Sequence, residues 1–222
     1  HLSNQVQWKP APSTTHSENL QVKIILEARF QAGLRYIDEG FPQFIANLKS
    51  HFRQGVHGAA AMNCNPFTRG HQYLVEQASK QVDHLYLFVL EEDRSFFAYQ
   101  DRFTMVQKGV EHLSNVTVLS TGKFMISSLT FPDYFNKENA FNPDMDFTYD
   151  FDIFVHFIAP VLNIKKRFIG TEPFCQTTAF QHEAMKKSLP PQGIEVIEIP
   201  RLQHQNQAIS ASRVRALLKT KN

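Results

Sequence analysis

From about residue 56 onward, short apolar runs alternate with stretches in which apolar positions recur every three or four residues. Gly58-Ala59-Ala60-Ala61-Met62 predicts a short buried strand of small residues. Leu74, Ala78 and Val82, four apart, predict one face of a helix. Leu85-Tyr86-Leu87-Phe88-Val89-Leu90 is an unbroken apolar run of the kind a central parallel strand needs. Phe103, Val106, Val110 and Leu113 predict a second helix, and Val116-Thr117-Val118-Leu119 a third strand. The aromatic-rich stretch from Phe124 to Leu162 reads as helix and loop. Arg167-Phe168-Ile169 predicts a short fourth strand, closed by Gly170-Thr171-Glu172. A helix is expected from about Thr177 to Leu189, an alternating fifth strand over Ile194–Ile199, and a last helix from about Ser212 to Lys219.

Strands separated by helices require right-handed crossovers, and so a parallel sheet covered on both faces. The expected fold class is therefore α/β, a doubly wound, Rossmann-like parallel sheet of about five strands flanked by helices. Such sheets bind ligands beyond the carboxyl ends of their strands, where strand order reverses, so the loops after the strands are the informative ones. Residues 1 to about 20 are polar, with Pro10, Pro12 and Ser13-Thr14-Thr15, and read as a tail or linker. Residues 21 to 53 read as a strand followed by a helix, and the organised domain is expected over 56–222.

The 222 residues, 42% of them hydrophobic and 20 of them Phe, can fill a sizeable core, which argues against wholesale disorder. A net charge of +2 without a long basic stripe gives no sign of a nucleic-acid or membrane-surface partner. No apolar run approaches the roughly 20 residues that span a bilayer. His1-Leu2-Ser3-Asn4 is not a signal peptide and lacks Met, so the sequence reads as a fragment or a processed chain. Cys64 and Cys175 form no CxxC pair, and both are expected to be buried apolar residues in a reducing, cytoplasmic setting, although two cysteines could also pair in an oxidising one. The ten His show no metal-ligand spacing, and those other than His71 are expected to be structural or exposed.

Two loops carry candidate chemistry. After the first strand, Asn65-Pro66-Phe67-Thr68 should form an extended turn, because Pro66 blocks helix continuation. Arg69-Gly70-His71 then enters a helix. A helix start offers unpaired N–H groups to an anion, and Gly70 leaves its backbone open to a phosphate. Thr68 can cap the helix or donate to phosphate, and His71 can stabilise charge developing at phosphorus. As bare spacing, a capping Thr68 and a surface His71 are the commoner outcome; the position after the first strand favours the functional one. At the end of the chain, Ser210, Ser212 and Arg215 gather at a helix entry, with Ser212 as the expected N-cap. They form either a second anion cradle or an ordinary capped helix with a surface arginine. Two cradles on one sheet suggest a triphosphate between them. Gly170 allows close backbone approach, and Glu172 either holds a ribose hydroxyl or is solvated. Arg102 either reaches a phosphate or partner or makes an exposed salt bridge at a helix start, with Asp93 nearby.

The pairing of Thr-x-Gly-His with Ile209-Ser210-Ala211-Ser212-Arg213-Val214-Arg215 resembles the HxGH-type nucleotidyltransferases. Longer strings resemble citrate lyase ligase: Met62 to His71, Phe131-Pro132-Asp133-Tyr134-Phe135, Gly170 to Cys175, Glu198-Ile199-Pro200-Arg201-Leu202 and Ile209 to Arg215. The likeness covers roughly residues 56 to 218. It implies an ATP-dependent ligase that activates acetate as acetyl-adenylate, acetylates the prosthetic-group thiol on the acyl-carrier subunit of citrate lyase, and releases AMP and pyrophosphate. It implies His71 and Thr68 at the α-phosphate, Ser210, Ser212 and Arg215 at the β- and γ-phosphates, and Gly170 and Glu172 at the nucleoside. Asn65, Phe67 and Gly70 join the ATP-binding set, and Mg²⁺ is expected on the phosphates rather than in a protein cage.

The sequence departs from the family at Ala98-Tyr99-Gln100-Asp101-Arg102 and at Ser128. Residues 1 to about 55 are expected to be a linker and the remnant of a preceding domain. Two other outcomes stay open: a nucleotidyltransferase acting on a mononucleotide or phosphorylated alcohol, and a non-catalytic nucleotide-binding scaffold.

Overall fold

The computed structural model describes residues 40–91, 95–127, 130, 144–205 and 207–220. The strand expected between 21 and 39, Asp93, Ser128 and the Phe131–Phe135 string lie outside them. The chain divides into two compact units, His1–Pro42 and Gln43–Asn222, and Gly40–Pro42 is the described part of the first.

In the second unit five strands form one parallel sheet in the order β3-β2-β1-β4-β5. They are β1 (His57–Met62), β2 (His84–Val89), β3 (Val116–Ser120), β4 (Ile164–Gly170) and β5 (Glu195–Ile199). Pairing is in register from His57 opposite His84 to Met62 opposite Val89, and from Lys166 opposite Glu195 to Gly170 opposite Ile199. The order reverses between β1 and β4, so the crevice of such a sheet falls beyond Met62 and Gly170. β2 is buried throughout, as the uninterrupted apolar run requires.

The helices are α1 (Phe41–Ser50), α2 (Arg69–Ser79), α3 (Tyr99–Val110), α4 (Thr148–Ile153), α5 (Gln176–Ser188) and α6 (Ala211–Lys219). α4 runs on through a π-helical turn, Phe154–Ile158, and a last α-turn, Ala159–Val161. α2 and α3 cover one face, where Val75, Ala78, Val106 and Val110 pack with Leu85, Leu87 and Phe168. α4 and α5 share the other face: Phe147 meets Phe180 at 5.6 Å, and Arg167 lies 4.8 Å over the ring of Phe154. β4 therefore sends Phe168 to one face and Arg167 to the other. Within this unit Phe44 packs on Phe124 at 5.0 Å, and Tyr86 donates to the His51 carbonyl at 2.9 Å, so ordered structure starts upstream of Val56. A two-residue hairpin, β6 (Gln203–His204) and β7 (Gln207–Ala208), precedes α6 and has no counterpart in the apolar pattern.

Candidate functional site

The loop after β1 is held from below by Arg102. This side chain is wholly buried, and its guanidinium donates to the carbonyls of Asn63 (2.8 Å), Leu90 (2.7 Å) and Phe97 (3.1 Å). It is neither a phosphate hook nor an exposed salt bridge, because its fully buried guanidinium is turned to these carbonyls and does not line the cavity described below. The loop contains the cis peptide bond Asn65–Pro66. Phe67 turns back onto α3: a Cβ on Gly109 would stand 2.3 Å from its ring, which also stacks on His71 at 5.8 Å. Cys64 is buried, and burial pushes its thiol well up against the opposing charge of Arg102, so it is no nucleophile at neutral pH.

Thr68 is the N-cap of α2, in extended conformation, and forms a reciprocal capping box with His71. The Thr68 backbone N–H donates to His71 Nδ1 at 3.1 Å, which leaves the ring proton on Nε2. Burial, and secondly the charge of Arg201, lower the His71 pKa to about 4, so the ring is a neutral donor at physiological pH. A Cβ on Gly70 would meet Ile209 at an ordinary 3.5 Å, so the fold does not itself demand glycine there. At Gly170 a Cβ would stand 2.9 Å from Cδ1 of Leu74, the far end of a flexible side chain that can turn aside, so the space there is tighter without glycine being strictly required.

The segment before α6 folds back over this loop. Arg215 donates to the Asn65 carbonyl and, at 2.9 Å, to the Ser212 hydroxyl. The N-cap is Ser210 rather than the expected Ser212, because Ser210 keeps extended angles (φ −127, ψ 130) while Ser212 already lies in the first turn. Glu172 is not solvated. Its carboxylate accepts from the N–H groups of Phe174 (3.0 Å) and Cys175 (3.1 Å) and from Arg201. Arg201 also donates to the Thr171 carbonyl at 2.6 Å, which ties the loops after β4 and β5 together. Cys175, expected to be buried, is exposed because it caps α5 at the rim of the site.

These loops enclose a cavity of about 460 Å³ over the carboxyl ends of the strands. Asn65, Thr68, Gly70, His71, Gly170, Glu172, Ser210, Ser212 and Arg215 all line it, and Phe67 lies behind it. So the loop after β1, the loop after β4 and the terminal segment converge. Sequence reasoning passed over further lining residues, among them Arg167, Gln181, His182 and Arg201. The signal for Arg201 was its place just past the fifth strand. That for Arg167 was a charge directly before the apolar pair Phe168-Ile169, in the part of the strand that is buried. Among the described residues no group of three or more His, Cys, Asp or Glu could hold a metal ion, and no helix is long and apolar enough to cross a membrane.

A doubly wound, Rossmann-like parallel α/β domain, with an anion-suited cavity at its switch point, is the class that this fold and site define. Within that class the chain belongs to the citrate lyase ligase C-terminal domain family, whose model matches residues 57–222. It is 43% identical over 169 residues to the [citrate [pro-3S]-lyase] ligase of Klebsiella pneumoniae, covering 74% of this chain and 49% of that one. With the [citrate [pro-3S]-lyase] ligase of Escherichia coli (strain K12) it shares 45% over 168 residues, 72% of this chain and 47% of that one. The chain thus spans about half the length of these relatives. A solved pantoate-β-alanine ligase from Francisella tularensis, described as complexed with β-γ ATP and β-alanine, aligns at a TM-score of 0.47 and 11% identity, over 78% of this chain and 70% of that one.

Proposed function

We propose that this domain binds ATP and catalyses attack of acetate on its α-phosphorus, as the adenylating half of a ligase that acetylates the acyl-carrier subunit of citrate lyase. The observation that carries this reading is the convergence of His71, from the loop after β1, with Ser210, Ser212 and Arg215, from the chain's end, around one cavity. Its volume lies in the range of small-molecule sites. Helix starts, two hydroxyls and a guanidinium suit a polyphosphate. The family relationship supports this choice of ligase.

Arg215, Ser210 and Ser212 hold the β- and γ-phosphates, with Mg²⁺ carried on those phosphates. The neutral His71 donates from Nε2 to an α-phosphate oxygen as charge grows there. Thr68 fixes that ring through its backbone N–H and its hydroxyl. An acetate oxygen forms the new bond to phosphorus, the bond to the bridging oxygen breaks, and pyrophosphate leaves with the electron pair. The carrier thiolate then attacks the acetyl carbonyl, and AMP departs. Around the nucleoside stand the Gly170 backbone and Glu172. An ionised carboxylate offers about four acceptor positions; three of those on Glu172 are occupied, which leaves one for a ribose hydroxyl.

Isotope exchange between pyrophosphate and ATP tests the reading. Exchange that appears only when acetate is added is the expected result. Exchange that depends on a mononucleotide instead, or no exchange despite ATP binding, overturns it.

A further inference from the structure

The cavity crosses the top of the sheet. On the α2 face lie Thr68 and His71; on the α5 face lie Arg167, Gln181 and His182. The second group is unlike the first. Arg167 is only 4% exposed and Gln181 only 3%, yet one terminal nitrogen of Arg167 and the side-chain amide nitrogen of Gln181 have no hydrogen-bond partner. His182 Nδ1, one residue along α5, has none either. Leaving a buried donor unmade is destabilising, more so for a charged group. Such costs gathered on one cavity wall point to a ligand that supplies acceptors.

The surroundings narrow its chemistry. Burial lowers the Arg167 pKa to about 10, with Asp150 opposing, so the guanidinium keeps its charge at neutral pH. Asp150 is engaged elsewhere: one oxygen accepts from the Ile126 N–H at 2.5 Å and the Thr130 hydroxyl at 2.8 Å. Leu90, Ile126 and Met185 line the same cavity and offer only apolar contact. One charged donor, an amide and an apolar wall fit a small carboxylate with a short apolar tail. The other face, with its paired hydroxyls and helix starts, fits phosphates.

We propose that Arg167 and Gln181, with His182 beside them, form the subsite for the carboxylate of the acid substrate. They bind one carboxylate oxygen and leave the other free to reach the phosphorus held at His71. This rests on the acid-activating reading above, and it adds the side chains that select and place the acid.

Gln181→Met keeps the side-chain volume close and removes the donor. Arg167→Lys keeps the charge and removes the fork. In acetate-dependent pyrophosphate–ATP exchange, each should raise the KM for acetate about tenfold to hundredfold and leave the KM for ATP within about twofold, as expected for losing a hydrogen bond to a charged group. Acetate added to the ¹⁵N-labelled wild-type chain should shift the Gln181 side-chain amide and the Arg167 Nε–H resonances. An unchanged KM for acetate in both variants overturns the subsite, as does an equal rise in both KM values. Acetate that shifts these resonances without supporting exchange leaves the subsite standing and sinks the proposed reaction. Acetate that supports exchange without shifting them does the reverse.

Discussion

Thr68 presents its backbone N–H to Nδ1 of His71 at 3.1 Å, and this one hydrogen bond selects the tautomer of the ring. The proton on Nε2 is left for whatever occupies the cavity. His71→Ala should lower the exchange rate about a hundredfold or more, the scale for losing a preorganised donor, with ATP affinity nearly unchanged. Single-turnover kinetics and a direct binding measurement read the two separately. An equal loss of affinity would make His71 a ground-state contact.

The lowered pKa values of His71 and His182, both about 4, tie stability to pH. Burial is the main cause in each. Both rings are neutral in the folded chain, while in the unfolded chain they take up protons near pH 6.5. Stability is therefore full above about pH 6.5 and falls as pH drops toward 4, by about 1.4 kcal/mol per pH unit for each proton bound only by the unfolded chain. Urea denaturation between pH 7 and pH 4 checks the slope. His71→Ala should make it shallower, and a slope that stays the same would contradict the assignment.

Arg201 is the second cause of the His71 shift. Arg201→Met should raise the imidazole pKa part of the way toward its ordinary value and move the acidic limb of the pH–rate profile upward. Burial, the larger cause, remains, so the move is partial. An NMR titration of the His71 ring reads it directly.

Gly70→Ala separates fold from ligand. The nearest neighbour of the added methyl is Ile209 at an ordinary 3.5 Å, so the chain should fold with stability unchanged or up to about 1 kcal/mol higher, the usual advantage of Ala over Gly in a helix. Nucleotide affinity should still fall sharply, because the methyl stands where a phosphate would approach. A thermal melt with and without ATP tests both halves. Undiminished stabilisation by ATP would place the phosphates elsewhere.

Arg102→Met should destabilise the domain by about 3 kcal/mol or more, since it strips charged hydrogen bonds from the buried Leu90 carbonyl and the half-buried carbonyls of Asn63 and Phe97. Arg102→Lys should recover little, because a point-like ammonium cannot reach in three directions as the fork does. Denaturant midpoints of the two variants make the comparison.

The sheet was legible because its strands are apolar runs of strand length separated by helical periodicity, and residues 85–90 could hardly be anything else. The convergence of Thr68, His71 and the Ser210–Arg215 segment was legible for a topological reason: parallel strands deliver their loops to one edge. Other features left no trace in local pattern. Arg102 looks like a surface residue until the carbonyls of Asn63, Leu90 and Phe97 surround it, and those partners come from three separate segments. The β6–β7 hairpin is too short to show a period. Gln181 and His182 sit on a helix of weak amphipathicity, and only the cavity reveals that their polar atoms face inward. The cap at Ser210 was displaced by two residues, since either serine satisfies the same rule and only backbone angles decide between them.

Helix α6 has no buried residue. Its hold on the body includes the guanidinium of Arg215 on the Asn65 carbonyl and the Ile209 N–H on the Leu202 carbonyl. Half of the proposed phosphate cradle is thus a clasp with little packing of its own. A ligand that bridges His71 and Ser212 supplies the missing adhesion, and at a hundred times its Kd adds about 2.7 kcal/mol to the closed form. On the proposed reading, occupancy and the ordering of helix α6 become one equilibrium, with the nucleotide serving as a piece of the interior.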